Sequence, residues 1–529
     1  MEFSIKKAGL ITAVAALSFT AVQAQNLEEG KKLVRYERYS SAEKVLQPLA
    51  ATDPIANYYL GVSELGQGNT EQARTIFGKY PSDPANMAGM AWVNFATGNK
   101  TDGMRLAKSV ADMAKRKDVM PYVWAADAVN YGGGDAQQAI EWYKKALERM
   151  DNVDIRIGLG DAYQRLAGGG GEAMNNYEKA VAMDPNNSLG YSRIGKLWYD
   201  ARNYESALSN FQKAKDADPS NPLPYNDLAN AYYWVGKYDQ ALQNIEEYLK
   251  LSDKAAEDQV RYLNLLYLAK KYPEAIQKAN DLIASGNAKP GFYGILAYSQ
   301  LETGDSTNAL ANVRKYFATQ DHKRIGPMDY LRYGRIFLAN AQADSAAWYF
   351  NEAVAQDTAK DKADIYREIA EGFKGLKTTE GYAKAGQWYG KVISETPEPK
   401  VLDYYYWGFW SFYGQQYDAA EKAFALMAEK FPEQPSALYW QGRVAGAKDP
   451  EAKGGGAVKY YEQWLAIPDN ETYQHKDAEL MMAYQYLAAY YYNKGDKAKS
   501  NDFADKILKM EPNNEFAKSI KNANSSAKK

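Results

Sequence analysis

The stretch Asn221-Pro222-Leu223-Pro224-Tyr225-Asn226-Asp227-Leu228-Ala229-Asn230-Ala231-Tyr232-Tyr233-Trp234-Val235-Gly236-Lys237-Tyr238-Asp239-Gln240-Ala241 decides the fold. Leu228 and Ala229 are followed three residues later by the large Tyr232, and then by Gly236, Tyr238 and Ala241. A small residue at 229 lets two helices touch closely, and the ring beyond it fills the seam below the contact. Ala241 marks the second helix and belongs to a series: Ala139, Ala173, Ala207, Ala241, Ala275 and Ala309 are each 34 residues apart. Tyr143, Tyr177, Phe211 and Ile245 stand four residues beyond the first four marks, and Ala146, Ala180, Ala214 and Tyr248 three further on. Offsets of 0, 4 and 7 describe one face of a helix. Pro185 and Pro219, each preceded by Asp, close their units, because proline lacks the N–H that a continuing helix needs.

A second column describes the partner helix. Gly61, Ala91, Ala126, Gly160, Gly195, Ala229, Ala297, Gly334, Ala370, Gly408, Gly442 and Ala488 precede the marks by about twelve to fifteen residues, with Leu263 as the one large exception. The marks extend through Ala42, Ala73, Gly103, Ala346, Ala385, Ala420, Ala457 and Ser500, which makes fourteen second helices. The glycine runs 132–134, 168–171 and 454–456 fall between the two helices of a unit and read as turns.

This pattern resembles the tetratricopeptide repeat family, whose period is 34 residues. The resemblance implies an all-α fold, an α-α superhelical solenoid of about 14 helix hairpins over residues 25–512. Residues 513–529 are expected to form a short capping helix holding Phe516 and Ile520, then a flexible tail.

Composition narrows the chemistry. The chain has 64 Lys and Arg against 66 Asp and Glu, a net charge of −2, so no basic field is present for nucleic acid. Cysteine is absent, and the two histidines, His322 and His475, stand alone in loops where they read as solvated side chains. No glycine run opens a helix after a strand pattern, as a phosphate loop requires. The expectation is a chain that is not an enzyme, with no cofactor and no metal site. Lys6 and Lys7 lead an uncharged apolar run, Ala8 to Val22, that ends at Val22-Gln23-Ala24, so residues 1–24 read as a cleaved signal peptide and Gln25 as the mature start. No later apolar stretch is long enough to span a membrane. The protein is expected to be exported, to the periplasm foremost, with outer-membrane association or secretion as the other destinations.

Of the 44 tyrosines, most occupy seam columns: Tyr39, Tyr204, Tyr238, Tyr272 and Tyr417 precede the second helix, and Tyr143, Tyr177, Tyr389 and Tyr461 lie along its buried stripe. In the family the first helix of each pair lines a concave groove, at positions three before, one after and four after the small residue. That carry-over implies a binding surface in the second half at Arg335, Arg367, Lys374, Tyr405, Phe409, Phe412, Tyr439 and Arg443. Rings supply contact area at low entropic cost, and cations fix carboxylates, so the partner expected is a protein or extended peptide with an acidic or carboxylate-ending segment and an apolar anchor. The family's clamp for a C-terminal carboxylate uses Lys and Asn at groove positions of its first repeat; Asn226 and Asn230 hold such positions, but the following first helix offers Val260 and Asn264, so the clamp is incomplete. The leading function is a scaffold or adaptor of the bacterial cell envelope. The alternatives are a component of an outer-membrane assembly or secretion machine, docked by its edges, or a glycan-binding protein that stacks sugars on groove rings.

Overall fold

The computed structural model describes residues 24–253, 256–286 and 288–526. The signal-peptide reading therefore falls, apart from Ala24, outside the described residues. Among those residues the chain is a succession of α-helices joined by short turns, with no strand and one isolated bridge between Lys115 and Asp118. Every mark but one lies inside the second helix of a pair, from Ala42 in Tyr39–Leu46 to Ser500 in Lys497–Met510. The exception, Ala457, sits one residue ahead of Val458–Leu465. The alanine marks are fully buried.

Local chemistry starts and stops the helices. Asp53 and Asp83 cap helices that open with Pro54 and Pro84; the Asp53 carboxylate accepts the backbone N–H groups of Ile55 and Ala56 at 2.8 and 3.2 Å. Within a hairpin the first helix ends on a left-handed residue, Gly236 in the opening unit (φ 72°) and Arg202 one unit earlier (φ 59°). The runs at 132–134 and 454–456 are turns, whereas Gly170 and Gly171 already belong to the helix Gly170–Met183. A Cβ at either position would meet open space, so packing does not demand glycine there. The last helix, Glu515–Ser526, runs further than expected, since Asn524 is buried and bonds Ser500 and Asn501.

Small residues and rings lock six of the hairpins alike. A Cβ added at Gly61, Gly160, Gly195, Gly334, Gly408 or Gly442 would lie 2.3 to 2.6 Å from the ring of Phe77, Tyr177, Phe211, Phe350, Phe424 or Tyr461 respectively. In each pair the ring is the side chain four residues after the mark of the second helix. Where the first helix carries the large Leu263, the matching position of the second is Ala279, and both are fully buried.

The chain divides into two compact units, Met1–Phe292 and Tyr293–Lys529. The first closes on itself. Its opening hairpin, residues 24–35 and Tyr39–Leu46, reaches the starts of much later hairpins: Arg35 pairs with Asp154 in the first turn of Val153–Gln164 at 3.0 Å, Lys32 bonds Ser220 at 3.1 Å, and the Tyr36 hydroxyl donates to Asp218. The Ser41 hydroxyl donates to Asp253 at 2.6 Å. Burial works to raise the Asp218 carboxyl, but hydrogen bonds from Ser220 and Tyr36 and the Lys32 charge outweigh it and hold the group below its ordinary range.

The notch at Gly195 is testable. Gly195→Ala drives a methyl into Phe211 and should cost about 1–3 kcal/mol in urea unfolding. Combining it with Phe211→Leu should cost less than the two single losses added together. Strict additivity would show that the two positions do not meet.

Candidate functional site

The eight expected groove residues all lie in the second unit, but they do not form one surface. Tyr405, Phe409 and Phe412 project from the helix Val401–Tyr413, and Tyr439 and Arg443 from Pro435–Lys448. Tyr405 stacks on Phe409 with ring centres 5.5 Å apart, and Phe409 and Phe412 meet the edge of Trp440 at 5.1 and 5.5 Å. Trp440 itself stacks on the buried Phe424 at 5.5 Å. The Arg443 guanidinium lies over Phe412 and Trp440, 5.3 and 5.7 Å from their centres, and donates to the Tyr439 hydroxyl at 3.3 Å. Tyr439 corrects the expectation: at 5% exposure it belongs to the core, packed 5.0 Å from Trp464, and offers only its hydroxyl.

The other three cations are spent inside the array. Arg367 makes paired bonds of 2.8 Å to Asp403 and a further one to Asp364. Asp403 is buried and also caps its own helix by accepting from Lys400 N–H. Arg335 pairs with Glu302 at 3.1 Å, and Lys374 pairs with Glu371 while lying over Trp410. A neighbouring first helix supplies the carboxylate to Arg335 and Arg367, and the same helix supplies it to Lys374, so each charge near the packed wall is paired. Arg443 alone of the four makes no ion pair among the described residues.

Arg443 stands between two clefts. One, of about 440 Å³, is lined by Phe412, Ala447, Tyr461, Met482, Tyr486 and Phe516 among others. The second, of about 630 Å³, sets Met481, Met482 and Met510 beside Asp477, Glu479 and Glu511. This methionine and carboxylate wall was not expected from the sequence, nor were Trp410 and Trp440, which sit two residues from the small column and not at the positions assigned to the groove. A separate cleft of about 490 Å³ holds Arg335 with Glu368 and Glu371.

Carboxylates beside the notches in both units are tied to phenols. Three groove carboxylates, Asp127, Asp161 and Glu371, follow the small residue directly, and each accepts the hydroxyl of the tyrosine seated in that notch: Tyr143 at 2.5 Å, Tyr177 at 2.7 Å and Tyr389 at 3.3 Å. Asp161 also takes paired bonds from Arg193 at 2.7 and 3.1 Å. Asp127 pairs with no cation among the described residues. Burial, reinforced by the charges of Asp154 and Asp161, pushes its carboxyl up to about 7 against the Tyr143 hydrogen bond. Burial likewise lifts Asp227 to about 6, although Lys196 and Arg193 oppose it.

His475 departs from its expected solvated state. Its side chain is 8% exposed, with Nδ1 2.6 Å from Asp469, Nε2 3.0 Å from the Trp464 carbonyl, and its ring edge-on to Trp464. It fastens the loop after residue 465, where a long connection needs an anchor. His322 lies in an exposed turn of 3-10 helix, His322–Arg324. Among the described residues no group of three or more His, Cys, Asp or Glu is placed to hold a metal, and no helix is long and apolar enough to cross a membrane.

The family model described as tetratricopeptide repeat matches residues 27–86, 157–222 and 226–290. Among solved structures, the C-terminal part of a repeat-containing protein of this kind from Cytophaga hutchinsonii is 27% identical, over 49% of this chain and 98% of its own, with a TM-score of 0.40. A tetratricopeptide repeat protein from Parabacteroides merdae is 20% identical over 48% of this chain and 98% of its own, with a TM-score of 0.35. The Cut9–Hcn1 hetero-tetramer of the APC/C aligns over 93% of this chain and 94% of its own at 14% identity, with a TM-score of 0.33. No curated protein matches the chain.

Asp127 yields a pH test. Its folded value lies above that of the unfolded chain, so the folded state keeps a proton that the unfolded state has lost, and stability falls as pH rises from about 4 to about 7. Asp127→Asn retains an acceptor for Tyr143 and removes the buried charge. At pH 8 it should raise the unfolding free energy by about 1–3 kcal/mol, an advantage that shrinks toward zero as pH approaches 4. A difference independent of pH would refute the buried ionisation.

Proposed function

We propose that this chain, which belongs to the tetratricopeptide repeat family, is a non-enzymatic scaffold of the bacterial cell envelope that captures a protein or extended peptide around Arg443. The observation that carries this reading is the guanidinium itself. Of the four groove cations it is the one without a carboxylate partner among the described residues, it lies over two rings, and it borders two clefts. A partner segment therefore supplies a carboxylate to Arg443 and an apolar side chain to the cleft of Phe412, Met482 and Phe516. The acidic wall of Asp477, Glu479 and Glu511 favours a basic residue beside that anchor. The partner is thus amphoteric, and not simply acidic as Arg335, Arg367 and Lys374 suggested. Members of the family are generally scaffolds and not catalysts. In keeping with that, the groove carboxylates Asp127, Asp161 and Glu371 are tied to phenols that join one helix to the next, and Asp161 to a guanidinium as well. The envelope location rests on the Lys-led apolar run before Ala24, and association with outer-membrane proteins is one form such a scaffold would take.

Selection of peptides from a displayed random library is expected to return an acidic residue near a bulky apolar one, with a basic residue close by. Arg443→Ala should weaken those peptides by about 2 kcal/mol while thermal melting stays unchanged. Equal binding by the variant would move the site to another surface. For the location, mass analysis of the protein recovered from a bacterial envelope fraction should give Gln25 as the first residue. A chain that stays in the cytoplasm with residues 1–24 intact would end the envelope reading.

A further inference from the structure

The first unit carries a second constellation, far in sequence from Arg443 and of different chemistry. A cleft of about 220 Å³ opens between the helices Leu223–Trp234 and Ala256–Leu268, lined by Ala229, Asn230, Tyr233, Trp234, Arg261 and Asn264 with Leu265. This is smaller than the roughly 300 Å³ at which pockets for drug-sized ligands begin, so it has room for a single ring of a larger ligand.

One wall is aromatic. Trp234 is 60% exposed, more than any other large apolar side chain described, and Tyr233 beside it meets it edge-on at 5.6 Å. A helix end that leaves an indole in water gives up about the largest apolar area one residue can bury, which makes the ring conspicuous as a contact surface.

The opposite wall is amide. The Arg261 guanidinium donates to Asn226 Oδ1 at 2.8 Å and to Asn230 Oδ1 at 2.7 Å, with Asp258 3.3 Å away. A guanidinium only donates, so it fixes both carboxamides with oxygen inward and leaves their NH2 groups directed away from it. Among the described residues neither NH2 group has an acceptor, and the Asn264 carboxamide makes no hydrogen bond at all. The charge of Arg261 is already compensated by Asp258 and by two amide oxygens, so the cleft offers ring faces and uncommitted amides and no free ion.

We propose that this cleft binds a neutral sugar, one pyranose ring of an oligosaccharide stacked on Trp234. The polarised C–H groups of a sugar face suit the electron-rich indole. Its hydroxyls both donate and accept, matching carboxamides that do the same, whereas a peptide carboxylate finds no unpaired cation there. The site is independent of Arg443, so a peptide groove and a sugar site stand or fall separately.

The test uses the full chain titrated by calorimetry with neutral trisaccharides: maltotriose, cellotriose, mannotriose and the trimer of N-acetylglucosamine. At least one is expected to bind at micromolar to millimolar concentration and to quench tryptophan fluorescence. Trp234→Ala and Asn264→Ala should each weaken it by at least about tenfold, Trp234→Phe should retain part of the affinity, and Arg443→Ala should leave it unchanged. Melting curves of the Trp234 and Asn264 variants should match wild type, since Trp234 is exposed and the half-buried Asn264 carboxamide makes no hydrogen bond among the described residues. Failure of all four sugars to bind at millimolar concentration overturns the proposal. So does binding that survives Trp234→Ala, and so does a selected peptide that occupies this cleft in their place.

Discussion

Everything in this chain depends on a ring entering a notch where a helix carries no side chain. Gly195 and Phe211 show the arrangement, and five further glycine and ring pairs repeat it at the same two positions of the hairpin. The contact is reciprocal in volume, as Leu263 and Ala279 demonstrate by exchanging the large and small roles. Interiors pack at crystal density, so a hairpin accepts one bulky residue at this crossing and not two. The period of the sequence is the trace of that constraint. Because it recurs in each pair, neighbouring hairpins inherit a common spacing and stack without a central core.

The same seam accounts for the tyrosines. Where the residue after the notch is Asp127, Asp161 or Glu371, the notch holds a tyrosine whose hydroxyl reaches that carboxylate. Where it is Val62 or Phe409, the notch holds Phe77 or Phe424, which have nothing to donate. The ring does the packing, and the hydroxyl settles a polar group that would otherwise face the wall unpaired.

The helical repeat was legible because periodicity survives in one sequence without neighbours. Fourteen marks, one column of small residues and the offsets between them placed the hairpins. The candidate site was legible only in part. Spacing says that Arg335, Arg367 and Lys374 face the groove and that Glu371 is within reach of Lys374 on its own helix, but it does not say that Glu302 and Asp403 meet Arg335 and Arg367 there, because that depends on how adjacent first helices are offset. Trp440 and Trp410 escaped for a related reason: they point between helices and not along the assigned face. Tyr439 met the positional rule and still went inward, since the helix is turned far enough to seat its ring on Trp464. His475 was unreadable because a loop has no period, and its bonds to Asp469 and to the Trp464 carbonyl come from chain folding back over itself.

The bonds that close the first unit bear on how the chain is made. In a repeat array each hairpin settles against the one before it, so assembly can keep pace with the ribosome. The opening hairpin is different, for Ser41 waits for Asp253, 212 residues downstream. At a synthesis rate of about 5–20 residues per second, that interval lasts roughly 10–40 s. Within it Arg35 gains Asp154 first, and Tyr36 and Lys32 gain Asp218 and Ser220 later, so the first helices made are secured in steps as their distant partners emerge.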